Sequence, residues 1–384
     1  MANTRRSRRL TYLLLLLVLV VLAGLVAWKL VDPYLRAMSV LTRFSDPQAH
    51  SFTTRFANHP FQEQMGSART PHGPLVFRLY IPQGVTNPPA MLLLHGIHHL
   101  GIEEPRLVSF SKALAGAGIE VMTPELKDLA DYRVTPETID VIGDSAVVLG
   151  TRMKQPVGVM GLSFAGGLAL MAAAMPEYAP KIGFVVAVGA HDDMARVAHF
   201  FIANKAEEPN GASEQLTAHE YGVLVLAYAH LDQFFSPADI PSAQEALRLW
   251  LWEKPQEAET ASQRLSKKGK ATFDELVQHR ELAKSDLEAE IEKYRPEMEA
   301  VSPHGHLSQL KVPVYLLHGA GDTVIPAAET EWLARDVPRK ELKAVLISPA
   351  LIHVNMEEKV PFSQKWALVD FLARVMRAAN GLQR

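Results

Sequence analysis

The order of apolar and polar positions divides the chain into regions with different periods. Residues 10–28 carry no charge and hold thirteen leucines and valines. As a helix this run is about 28 Å long, close to the hydrocarbon thickness of a bilayer, and it predicts a transmembrane span. Farther on, Leu75, Phe77, Leu79 and Ile81 predict a half-buried strand over 73–82, and the apolar run from residue 91 predicts a buried one. The pattern then predicts a helix over 107–117, a strand over 119–122, and a second helix capped by Thr135 with Pro136 at its first position. Further apolar runs at 157–160, 182–189, 312–317 and 344–348 read as strands, with a small-residue helix over 167–174. Strands alternating with helices argue for a mostly parallel central sheet with helices on both faces.

Between 191 and 304 the strand signals fade. Helical, charged and aromatic segments take their place, which predicts a helical cap inserted after a sheet strand. Its first part carries Phe200, Phe201, Tyr221, Tyr228, Phe234, Phe235, Trp250 and Trp252. These side chains either line an apolar pocket or form the cap's own core. The second part, 257–299, is largely charged and reads as a solvated helix with pairs such as Glu290 and Tyr294 beside Lys293. The chain is therefore expected to comprise an N-terminal segment (1–9), a transmembrane anchor (10–31), a stalk containing Pro33 and Pro47 (32–50), a core made of 51–190 and 305–384, and the cap (191–304).

Ser163 stands in Gly161-Leu162-Ser163-Phe164-Ala165-Gly166, after a predicted strand and before a predicted helix. A serine at such a turn is pushed out of the sheet on a strained backbone, which suits a nucleophile. Three further segments follow the order this chemistry needs. His95-Gly96-Ile97 ends a buried strand and can turn backbone N–H groups toward a developing oxyanion, with Ile97 and Phe164 as the natural donors. Asp322 follows the strand that ends at Gly319, and His353 follows the one that ends at Ser348.

On these motifs the chain resembles the α/β-hydrolase superfamily over roughly 74–190 and 305–384. The resemblance implies an α/β-hydrolase fold with a Ser163-His353-Asp322 triad and an oxyanion turn at His95-Gly96, supported by Gly161 and Ala165. It implies acyl transfer without a cofactor, on a small-molecule or lipid-like ester. A peptidase or amidase of the same fold, or a non-catalytic binding protein, remains an alternative. Asp192 and Asp193, which follow another strand end, compete with Asp322 for the role of triad acid. His98 and His99 with Glu103 and Glu104 form the one other chemical cluster, but their spacing matches no helical zinc motif, and no metal is expected.

Charge and cysteine usage narrow the picture further. A net charge of −3 over 384 residues lacks the basic field of a nucleic-acid binder, so no nucleic-acid partner is expected. The absence of cysteine removes disulfides, a thiolate nucleophile and cysteine-based zinc sites. Arg5, Arg6, Arg8 and Arg9 precede the apolar run, so the positive-inside rule places the N-terminus in the cytoplasm and the catalytic domain on the opposite side. The rival reading is a cleaved signal peptide with its site near Val21-Leu22-Ala23; the run is longer than an ordinary signal core, which favours an anchor.

Overall fold

The computed structural model describes residues 2–278, 284–352, 355–356 and 361–382. An eight-stranded sheet organises them. Its first six strands are β1 (Phe61–Thr70), β2 (Gly73–Pro82), β3 (Ala90–Leu94), β4 (Glu120–Pro124), β5 (Val157–Leu162) and β6 (Ile182–Val188). A small hairpin, β7 (Lys205–Glu207) and β8 (Ser213–Gln215), lies in the insertion, and β9 (Val314–Gly319) and β10 (Leu342–Ser348) complete the sheet. The order is β1-β2-β4-β3-β5-β6-β9-β10, with β2 antiparallel to both neighbours and every later pairing parallel. All five residues of β3 are buried, as expected of a parallel strand covered on both faces.

Strand β1 was not expected. Its residues are mostly polar and its burial alternates, between half-buried and exposed, only from Met65 to Thr70, because it pairs with β2 at the sheet edge and leaves much of its surface in water. Thr135 precedes the helix Pro136–Met153 as predicted, but its hydroxyl donates to Asp128 Oδ2 at 2.6 Å instead of capping the helix.

One sheet face packs against the helices Pro136–Met153 and Phe164–Ala174, in a core continuous with that of the cap. The other face packs against Pro105–Gly116, Phe362–Gly381 and part of the N-terminal helix. That helix runs unbroken from Ala2 to Ser45 with Pro33 inside it. Its apolar side chains from Leu14 to Leu22 are exposed, and it is the one helix among the described residues long and apolar enough to cross a membrane.

The segment expected as a stalk is therefore corrected: residues 32–45 are helical and docked on the core. Ala37 and Val40 are fully buried, Tyr34 donates to Asp370 Oδ1 at 2.8 Å, and Arg36 donates to Ala117 O at 2.8 Å and Asn380 Oδ1 at 2.7 Å. Pro33 costs one helical hydrogen bond, which this packing offsets.

The insertion between β6 and β9 runs from Met194–Ala203 to Arg295–Glu299 and is mainly helical. Half of the eight aromatic residues named above, Phe200, Phe201, Tyr228 and Phe235, are buried in the core, and the other four pack against it partly exposed. The charged part also differs from expectation. Phe273, Leu276, Leu287 and Ile291 give its helices a buried face, and Glu290 lies on that face with no exposure to water. Glu290 Oε1 is 3.2 Å from His230 Nδ1, and the His230 ring stacks on Tyr294 with centroids 3.5 Å apart.

Candidate active site

Ser163 occupies the sharp turn between β5 and the helix Phe164–Ala174. Its backbone lies at φ 57° and ψ −136°, a conformation that costs a non-glycine residue of order 1–3 kcal/mol and that surrounding contacts must hold. The Ser163 N–H donates to Val188 O at 2.7 Å, and Ser163 O accepts from Gly166 N at 2.9 Å. Gly161 permits the turn to close, since a Cβ there would stand 2.4 Å from Ala165 O. Phe164 begins the helix, so its amide is among the N–H groups with no carbonyl one turn back.

His95, Gly96 and Ile97 follow β3 and lie against this turn. A Cβ on Gly96 would be 3.0 Å from Ser163 Cβ and 3.3 Å from Leu162 O, so only glycine allows so close an approach. His95 fixes the loop. The Leu126 N–H donates to its Nε2 at 3.0 Å, which leaves Nδ1 to carry the proton and donate to Gly96 O at 2.8 Å. Burial pushes the imidazole down to about 4, so it is neutral at pH 7 and acts as a brace, not a base.

Ser163, His95, Gly96 and Ile97 border a cavity of about 130 Å³. Tyr221 is the one residue of the cap's aromatic set among the described lining residues, and burial, with Asp322 adding, raises its hydroxyl above the usual range. Apart from His98, Glu104 and Arg106, the remaining wall is apolar and comes mostly from the sheet face opposite the cap core, including Met160, Val186, Leu317 and Phe371. Its depth does not come from the cap.

Asp322 follows β9 and is buried. Its Oδ1 accepts from Val324 N at 2.8 Å and Ile325 N at 3.1 Å, while Oδ2 lies 3.4 Å from where a Cβ on Gly189 would stand. The Val188-Gly189 turn thus has Ser163 on one side and Asp322 on the other. Sequence reasoning missed His318, which supports this loop: its Nε2 donates to Ile325 O at 2.8 Å and its Nδ1 accepts from Thr330 Oγ1 at 2.6 Å. His353 lies outside the described residues. In sequence it falls between the short paired strands β11 (Leu351–Ile352) and β12 (Asn355–Met356).

The competing acids have other partners. Asp192 is fully buried, with Oδ2 2.8 Å from Arg196 Nη2, and Asp193 caps the helix Met194–Ala203 by accepting from Arg196 N. Glu329 accepts from the amides of both aspartates and from Arg196 Nε at 2.6 Å. Burial, with Glu329 and Asp336 adding, pushes the Asp192 carboxyl up to about 7. These groups tie the start of the cap to the helix Ala328–Asp336. No local motif announces Glu329 or Arg196, because the pair closes over 133 positions.

The His98–His99 cluster is divided among neighbours. The two rings stack at 4.8 Å and His99 stacks on Trp252 at 5.4 Å. Glu103 pairs with Arg78, while Glu104 accepts from Leu107 N and Arg106 Nε at 2.7 Å each. Burial lowers both imidazoles, which favours their neutral forms.

No family model and no curated protein matches the chain. Similar solved structures include an esterase from Pyrobaculum calidifontis (14% identity, TM-score 0.46, covering 91% of this chain and 93% of that one). They also include a dienelactone hydrolase from Anabaena variabilis (16% identity, TM-score 0.43, covering 82% and 97%). A third, a candidate dipeptidyl aminopeptidase IV from Bacteroides ovatus, is 12% identical with a TM-score of 0.47; the match covers 84% of this chain but only 36% of that protein. At these distances the strand order and the strand-turn-helix around Ser163 carry the assignment: the chain has the α/β-hydrolase fold, with a mainly helical insertion between β6 and β9.

Proposed function

We propose that the chain is a membrane-anchored serine hydrolase acting on ester or other acyl substrates. The observation that carries this reading is the strained backbone of Ser163 at the carboxyl end of β5, with the Gly96 turn against it and an apolar cavity behind. In this reading Ser163 Oγ bonds to the acyl carbonyl carbon as its proton passes to an imidazole, which chain order assigns to His353. The carbonyl oxygen becomes an oxyanion held by the amides of Ile97 and Phe164. The imidazolium then protonates the leaving alkoxide, and water, deprotonated by the same imidazole, releases the acid from the acyl-serine. Asp322 orients the imidazole. Its place across Val188-Gly189 from Ser163 supports that role, as does the commitment of Asp192 to Arg196.

The exposed apolar stretch of the N-terminal helix supports anchoring, and the preceding arginines support a cytoplasmic N-terminus. Labelling the folded, full-length protein with a fluorophosphonate tests the catalytic reading. Modification should map to Ser163, vanish in Ser163→Ala and fall sharply in His353→Ala. A folded protein whose Ser163 stays unlabelled would overturn it.

A further inference from the structure

We propose that the cavity behind Ser163 is a slot for the acyl chain of a membrane-borne ester, and that the docked half of the N-terminal helix is its outer wall. The inference deepens the hydrolase reading by naming its substrate class, and it relies on that reading only for the bond cleaved. Ser163, Gly96 and Ile97 form the mouth, and the slot extends from them along the sheet face away from the cap core. Leu41 and Phe44 of the N-terminal helix face Phe110 of the helix Pro105–Gly116 and Phe371 of the C-terminal helix around it.

The chemistry of this lining selects an apolar occupant. His95 has both ring nitrogens committed, and Glu104 is paired with Arg106 at the rim. A half-open space with a mainly apolar lining beside Ser163 and the Gly96 turn fits a group that is polar at its carbonyl and hydrocarbon beyond it. The cavity, about 130 Å³, has room for roughly four groups of water size, enough for the first carbons of a chain. A second groove of about 790 Å³ shares Leu41, Phe44, Arg106 and Leu368 with the slot and runs along the N-terminal helix as far as Met38. The rest of the chain has its path there.

The groove also points to the source of the substrate. Tyr34 stacks on Trp366 at 5.7 Å and Trp366 on Phe362 at 6.2 Å, with Phe362 78% exposed. These rings stand beside the start of the C-terminal helix, three residues past the end of the exposed apolar stretch at Val31, where aromatic side chains anchor at a bilayer surface. From Val31 to Leu41 the helix rises only about 15 Å. An acyl chain leaving the bilayer beside the helix reaches the slot over Met38, Leu41 and Phe44, the apolar side of a groove whose other side carries serine, threonine and lysine.

The test uses full-length Ser163→Ala protein in phosphatidylcholine vesicles with an alkyl ester whose acyl chain ends in a diazirine, followed by mapping of photocrosslinked peptides. Crosslinks are expected at 38–45 and 368–372, displaced by excess unlabelled ester. Leu41→Trp and Phe110→Trp, which fill the slot from opposite walls, should each reduce them about tenfold or more without lowering the melting temperature. Crosslinks confined to the cap at 191–304, or unchanged in both folded variants, would overturn the slot. The two readings fail separately. Ser163 labelled by fluorophosphonate with crosslinks elsewhere removes the slot alone, while slot crosslinks with an inert Ser163 remove hydrolysis and leave an acyl-binding site.

Discussion

Gly96 lies against Ser163 so closely that a methyl group added to it would stand 3.0 Å from the serine Cβ. The contact joins the end of β3 to the turn after β5, and it sets the distance between the nucleophile and the amide of Ile97. In Gly96→Ala one of the two turns must move by several tenths of an ångström. A full ångström of misplacement costs about 10²-fold in rate, so a shift of a few tenths between a nucleophile and its oxyanion donors should cost about tenfold. The rate of fluorophosphonate inactivation should fall by about that factor, with the melting temperature little changed. A normal rate would remove the His95-Gly96 turn from the catalytic account.

Asp322 and Asp192 make opposite predictions. Asp322→Asn should lower turnover by about 10⁴-fold through the wrong imidazole tautomer. Asp192→Asn leaves Arg196 paired with Glu329 and replaces a carboxyl already pushed up to about 7 by a neutral group, so its cost should be confined to stability, at about 1 kcal/mol by urea unfolding. Its turnover per folded molecule should stay within about tenfold of the parent. Loss of turnover in Asp192→Asn alone would exchange their roles.

The parts of this protein legible in its sequence are those fixed by local backbone demands. Gly161, Ser163 and Ala165 announce a strand-turn-helix because the turn closes only with small residues at those places. The continuously apolar β3 and β5 announce a sheet covered on both faces. What escaped depends on contacts between distant segments. Tyr34, Ala37, Val40 and Phe44 carry a helical stripe, but Pro33 and Pro47 suggested a stalk, and only the surface offered by Phe362–Gly381 explains why the helix continues. The polar β1 gains strand structure from β2. Glu290 looked solvated because every local signal around it is charge; its burial is set by His230, 60 positions away.

Glu290 and His230 should make stability depend on pH. Burial pushes the Glu290 carboxyl up to about 9 and the His230 imidazole down to about 4, so near neutral pH the carboxylic acid donates to Nδ1 and both groups are uncharged. The unfolded chain loses the Glu290 proton near 4.5, whereas the folded chain keeps it until about 9. This group's contribution is therefore complete below 4.5 and declines as pH rises toward 9, by up to about 1.4 kcal/mol per unit. His230 acts in the opposite direction, its contribution being lost as pH falls from about 6.5 toward 4. Glu290→Gln keeps a neutral donor without the titration, so its stability relative to the parent should rise steadily from pH 5 to 9. A difference that does not vary with pH would show that Glu290 is ionised in the folded protein.

The two halves of the N-terminal helix should separate by truncation. Removing residues 2–31 takes away the exposed apolar stretch but leaves Tyr34, Arg36, Ala37 and Val40 in their contacts. That protein should be recovered from the soluble fraction with a melting temperature close to that of the full chain. Removing 2–45 also uncovers the sheet-face core at Ala37 and Val40, takes Tyr34 from Asp370 and Arg36 from Asn380, and opens the cavity along Leu41 and Phe44. Lost burial of this kind is worth about 3 kcal/mol or more, so thermal unfolding of the shorter protein should begin many degrees earlier. Equal stability of the two truncations would mean that residues 32–45 do not belong to the folded core. A 2–31 truncation that stays with the membrane would instead place a second contact on the bilayer, for which the exposed Phe362 and Trp366 are the first residues to change.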